Sequence, residues 1–142
     1  MLRLPAVNPP RLDVSALEGA AVSATGLDDF GSATYRDGLE VFVGSLNDEA
    51  QLNEIGGMAL DAQIVGMLTN RLRIIEWRRD HPEVATEQIV APLVVTGLPR
   101  TGTTLLSALL GCDPGRRPLM RWESADCIPP PESATFHTDP RI

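Results

Sequence analysis

The chain has 142 residues and is 43% apolar, which suits one domain with a hydrophobic core and excludes wholesale disorder. A formal net charge of −7 and a pI near 4.7 exclude a general nucleic-acid binder, which needs a basic face. All twelve basic residues are arginines, so no lysine is available as a catalyst or phosphate clamp. Cys112 and Cys127 lack C-x-x-C spacing and a histidine pair, so no metal site is expected. The first residues do not lead into a signal-type apolar core, and no apolar run approaches the ~20 residues of a membrane span. A cytoplasmic protein with free thiols and no membrane span is expected.

Residues 1–12 hold Pro5, Pro9 and Pro10 and read as an extended arm. A short helix is predicted over about 13–24, stopping near Gly26, and a second over about 34–45 with Leu39, Phe42 and Val43 as its apolar face. Asn47 or Asp48 is the expected cap of the longest helix, with Gln51 placed for a capping-box contact. Its apolar stripe is Leu52, Ile55, Ala59, Ala62, Val65, Leu68, Leu72 and Ile75, with Met58 and Met67 expected in the core. Arg71, Arg73, Arg78 and Arg79 read as a solvated helix end, and Asp80-His81-Pro82 stops the helix. Leu93, Val94 and Val95 predict a buried parallel strand, and residues 117–122 a second strand. Between them a leucine-rich helix is expected from about Thr101 to Leu110, stopped by Gly111 and Pro114. Residues 124–142 are rich in proline and polar side chains and show no periodicity.

The loop before that helix, Gly97-Leu98-Pro99-Arg100-Thr101-Gly102-Thr103-Thr104, is a G-x-x-x-x-G-T-T sequence between an apolar run and a helix, the context of a phosphate-binding loop. Free N–H groups and the positive end of the helix dipole favour an anion there. Gly97 and Gly102 let backbone approach a ligand, and Thr101, Thr103 and Thr104 add hydroxyls. Arg100 carries the loop's one full positive charge and can grip two oxygens of one anionic group. Thr103 stands where a nucleotide-hydrolysing loop has lysine, so the charge that spans the β- and γ-phosphates of ATP is missing.

Pro99-Arg100-Thr101-Gly102-Thr103-Thr104 resembles the 5′-phosphosulfate-binding loop, P-[KR]-[ST]-G-[ST]-[ST], of sulfotransferases that use 3′-phosphoadenosine 5′-phosphosulfate (PAPS). The resemblance extends through Leu119-Met120-Arg121-Trp122-Glu123 and Pro129-Pro130-Pro131-Glu132, and is nearest to the bacterial branch with a helical section ahead of the loop. It implies an α/β fold: an N-terminal arm and helical section over 1–88, then the start of a P-loop-type parallel sheet over 89–142. It covers only the N-terminal part of such enzymes, so the chain reads as a fragment or one piece of a split protein. It implies PAPS as sulfuryl donor without a metal, bound by Gly97, Pro99, Arg100, Thr101, Gly102, Thr103 and Thr104. The acceptor is a hydroxyl or amine on a small molecule, lipid or carbohydrate; a split protein would also need a complementing C-terminal chain.

Sulfuryl transfer needs the leaving phosphate stabilised and a proton taken from the acceptor. Arg100 suits the first task. Glu123 is the candidate base for the second, because some of these enzymes use a glutamate shortly after the loop; a helix-capping or surface role is the plain alternative. His137 is the other candidate, set against a solvated loop histidine. Trp77 and Trp122 read as packing residues. Two rival functions remain open: a non-catalytic remnant that keeps the loop, and a P-loop kinase or NTPase, which Thr103 opposes.

Overall fold

Asp13 starts the first helix: its carboxylate accepts the Ala16 N–H at 2.8 Å, satisfying one of the donors a helix leaves free at its N-terminus. Helix α1 (Val14–Thr25) ends at Gly26, which adopts the left-handed conformation at φ 71° and returns its N–H to the Val22 carbonyl at 2.7 Å. Helices α2 (Thr34–Asp48) and α3 (Glu54–Asp80) follow. The computed structural model describes residues 11–98 and 100–142; the expected arm over 1–12 lies almost wholly outside them.

The chain divides into two units, Met1–Asp80 and His81–Ile142. In the first, α1 packs against α3 and, less extensively, α2. Leu12, Leu17, Ala21, Val43, Ile64, Leu68 and Leu72 form the core, with Leu17 and Leu72 fully buried. The buried face of α3 differs from the predicted stripe, of which only Leu68 and Leu72 are buried; Gly57 and Ile64 lie outside that stripe. Gly57, Ile64, Leu68 and Leu72 are buried, whereas Ile55, Met58 and Met67 face solvent at 77%, 65% and 57% exposure. With one short helix to cover, α3 needs only one face, and four-residue steps hold that face along its middle.

Two further expectations fail because distant partners claim the side chains. Asn47 and Asp48 lie in the last turn of α2; Asn47 exchanges hydrogen bonds with the Leu12 backbone at 2.9 Å each way, and Asp48 pairs with Arg11. Asn53 caps α3 instead, accepting the Gly56 N–H at 2.7 Å. Arg71 is a tie rather than a solvated helix end. It donates to the Phe30 carbonyl at 2.7 Å and the Ser32 carbonyl at 3.1 Å, and its guanidinium lies 4.4 Å from the Tyr35 ring centroid.

Tyr35, the only tyrosine, donates to Glu18 at 2.7 Å; burial first, and then the Glu18 carboxylate, push its phenol up to about 12 from the ordinary 10.0. A group whose folded pKa is raised contributes stability that is intact below the unfolded value and lost as pH rises through the folded one. Stability of the helical unit should therefore fall from about pH 10 to about pH 12. Tyrosinate absorbance should titrate near the upper value in the native chain and drop in Glu18→Gln; a native midpoint at the ordinary value would break the Tyr35–Glu18 pairing.

The second unit departs from the predicted α/β class. Among the described residues there are five α-helices, two short 3-10 turns and no strand. Residues 93–95 form no regular element, and of 117–122, predicted as a strand, the last two open helix α5 (Arg121–Ala125). A strand exists only by hydrogen-bonding to a neighbour, and among the described residues no segment pairs with these apolar residues. Leu93 and Val94 are 57% and 74% exposed, and no apolar side chain among the described residues of 81–142 is buried. Amide hydrogen exchange should consequently be slow in the middle of α1 and α3 and orders of magnitude faster throughout 81–142. Comparable protection in both units would contradict this division of stability. No helix among the described residues is long and apolar enough to cross a membrane.

Candidate functional site

The loop predicted to bind an anion has two residues in the left-handed backbone region. Arg100 takes φ 68°, a left-handed conformation uncommon for a residue with a Cβ, and Gly102 takes φ 91°. Gly102 is the N-cap of helix α4 (Thr103–Leu110), which begins two residues after the predicted Thr101 start. Its carbonyl accepts the Leu106 N–H at 3.0 Å, the first bond of the helix. The N–H groups of Thr103, Thr104 and Leu105 thus precede the helical ladder and lie at the positive end of its dipole.

Thr101 has a different task from Thr103 and Thr104. Its hydroxyl donates to the Leu98 carbonyl at 2.6 Å and closes the turn. That leaves the Thr101 oxygen as an acceptor, so the residue shapes the loop rather than offering its proton to an anion. A Cβ on Gly97 would come within 2.9 Å of the Thr101 hydroxyl and 3.0 Å of the Thr103 methyl, so glycine is required for that close approach. Arg100, Gly102, Thr103, Thr104 and Leu105 line an open concavity of about 370 Å³ with no carboxylate in its wall. Pro99, also placed in the loop by the sequence, lies outside the described residues.

Glu123 is held more tightly than the sequence indicated. It is 4% exposed, the one charged residue buried among those described. One carboxylate oxygen accepts the Met120 N–H at 2.7 Å, capping α5, and the other pairs with the Arg117 guanidinium. Arg117 thereby enters as a residue that sequence reasoning missed; a basic residue six positions before the candidate base carries no local signal. His137 is exposed, edge-on to Phe136 at 5.4 Å, and lines a cavity with Arg117. Trp122 packs on Phe136 with ring centroids 5.4 Å apart, the structural role expected of it. Cys112 and Cys127 are free, and no cluster of three metal-ligating side chains occurs among the described residues.

A glycine-bounded loop that leads into a helix N-terminus and lines an open concavity with an arginine is an arrangement suited to an anion. Residues 92–141 match the model of the sulfotransferase family, so the resemblance carried by the loop is shown. The chain is similar in structure to sulfotransferase STF1 of Mycobacterium tuberculosis H37Rv, with 34% identity and a TM-score of 0.78 over 92% of this chain and 36% of that one. It is likewise similar to sulfotransferase STF9 of Mycobacterium avium, with 33% identity and a TM-score of 0.77 over 99% of this chain and 35% of that one. The chain thus spans about a third of the length of these relatives. A comparison with curated proteins gave no match.

Proposed function

We propose that this chain is the donor-binding portion of a PAPS-dependent sulfotransferase, with the 5′-phosphosulfate held by the loop over 97–104. The observation that carries this reading is the concavity at the start of α4, lined by Arg100, Gly102, Thr103, Thr104 and Leu105 with no opposing carboxylate. That donor set fits a compact dianionic group. PAPS supplies an activated sulfuryl group whose bridging S–O bond breaks as the acceptor oxygen bonds to sulfur, leaving adenosine 3′,5′-bisphosphate. Arg100 would grip the leaving phosphate and offset the charge that grows on it. Thr103, Thr104 and the amides at the start of α4 would orient the donor, with Gly97, Thr101 and Gly102 shaping the turn and Pro99 assigned to it from the sequence. Glu123 would take the acceptor proton, its carboxylate aimed by the Met120 N–H and Arg117. The acceptor is a hydroxyl or amine compound, no metal takes part, and the location is cytoplasmic.

The division assigned to these roles is a helical section over 1–88 and a donor-binding section over 89–142. The span of about a third of the relatives' length favours a second reading alongside the first: a partial chain that binds donor but turns over only with a complementing C-terminal chain, or not at all.

Calorimetric titration distinguishes the sulfotransferase reading from a kinase or NTPase. Adenosine 3′,5′-bisphosphate should bind more tightly than Mg-ATP, because Thr103 replaces the lysine that would span the β- and γ-phosphates. Tighter, magnesium-dependent ATP binding would overturn the proposal.

A further inference from the structure

The helical unit carries a groove that its own packing leaves open. Helix α1 packs against both α2 and α3, and a concavity of about 350 Å³ lies between those two helices. Helix α2 lines it with Tyr35, Gly38, Leu39 and Phe42. Helix α3 lines it with Ile64, Met67, Leu68 and Arg71. Both sets follow helical spacing, so each is one face of its helix. The Arg71 guanidinium lies 4.4 Å from the Tyr35 ring centroid, which puts these two residues at one end of the groove and Phe42 and Ile64 at the other. At the helical rise per residue the groove is roughly 10 Å long.

The floor is filled and the walls are not. Ile64 and Leu68 are buried, whereas Phe42 and Met67 stand 46% and 57% exposed. A Cβ on Gly38 would meet nothing within 4 Å, so the groove has free space there. Arg71, half-buried, closes one end without an acidic partner. It donates to the Phe30 and Ser32 carbonyls and forms no ion pair among the described residues. Arg36, nearby on α2, is by contrast paired with Glu18 at 3.0 Å and Glu40 at 3.1 Å, and Glu18 also accepts the Tyr35 hydroxyl. No acidic side chain lines the groove. A guanidinium that makes two hydrogen bonds has donors to spare, and its uncompensated charge beside apolar side chains favours an anion.

We propose that this groove binds a free monoanionic amphiphile: a short apolar chain with a carboxylate head. The head meets Arg71, and the chain lies along Leu39, Phe42 and Met67. One guanidinium matches one carboxylate, and the volume is at the small end of ligand sites, with room for a single such molecule. A bilayer surface is the poorer fit. A net charge of −7 is repelled by anionic headgroups, and adsorption to them takes a cluster of basic residues. The site lies wholly within the first unit, so it does not depend on the sulfotransferase reading.

The test is a nuclear magnetic resonance titration of the ¹⁵N-labelled full chain with octanoate, and separately with octan-1-ol and octylammonium. Saturable shifts are expected with octanoate at Gly38, Leu39, Phe42 and Met67, with octan-1-ol binding at least about tenfold weaker and octylammonium weaker still. Gly38→Leu should fill the groove and weaken octanoate by at least about tenfold. Leucine there meets no neighbour and favours the helix over glycine, so the thermal midpoint should hold or rise and lost binding is not lost folding. Arg71→Gln should bring octanoate down to the affinity of octan-1-ol. No saturable binding, equal affinity for the acid and the alcohol, or unchanged octanoate affinity in Gly38→Leu would overturn the proposal. So would co-sedimentation with phosphatidylglycerol vesicles that Gly38→Leu abolishes, since the groove would then serve a membrane rather than a free molecule.

Discussion

Arg100→Ala is expected to weaken adenosine 3′,5′-bisphosphate by one to two orders of magnitude, since a charge-assisted hydrogen bond contributes about 1.5–3 kcal/mol. In a chain completed to active length, sulfuryl transfer should fall further, by about 2–4 kcal/mol of transition-state stabilisation, or roughly 30- to 900-fold. The phosphate's charge grows as the S–O bond breaks, so the guanidinium matters more at the transition state than at binding. Arg100→Gly makes the experiment sharper. Glycine adopts φ 68° without the ~1 kcal/mol that a Cβ costs there, so the loop should keep its shape while losing the same affinity. If either variant bound the nucleotide as the parent does, Arg100 would have no place in the site.

Leu72→Ala is the largest stability change expected of a single substitution. Leu72 is fully buried where α3 packs in the core with Leu17 and Ala21 of α1, and truncating such a leucine costs about 2–5 kcal/mol through lost transfer and the cavity left behind. Domains have only about 5–15 kcal/mol in total, so most of the margin of the helical unit is at stake. Thermal denaturation followed by circular dichroism should show a drop of many degrees or loss of the cooperative transition. Met67→Ala, on the same helix at 57% exposure, should change stability by less than about 0.5 kcal/mol. Equal shifts in the two variants would show that the core of the first unit has been placed on the wrong face of α3.

The contrast between those two positions marks where periodicity stops being informative. Met67 and Leu68 both fit apolar helical spacing, yet only Leu68 is buried, because α1 covers a single narrow face of α3. The caps show the same division. Asp13 and Gly26 were legible because their partners are three and four residues away. Asn47 was not, because its partner Leu12 is 35 residues distant.

The amino-acid sequence by itself made the loop legible, and with it the sulfotransferase-family resemblance that residues 92–141 carry. Glycine spacing, a helix N-terminus, one arginine and no lysine are local properties, and phosphate-type recognition needs little beyond local backbone geometry. It also determined three of the helices of the first unit to within a few residues at most boundaries, with the start of α3 the exception. Only the tertiary structure decided that Leu93, Val94 and Val95 form no strand, since an apolar run becomes a strand only when another pairs with it. Tertiary structure also decided that Glu123 is buried against Arg117, that Arg71 ties α3 to the Phe30 and Ser32 carbonyls, and that residues 126–141 fold around Arg141. Each of those depends on which distant groups arrive within hydrogen-bonding distance, and local spacing does not encode that.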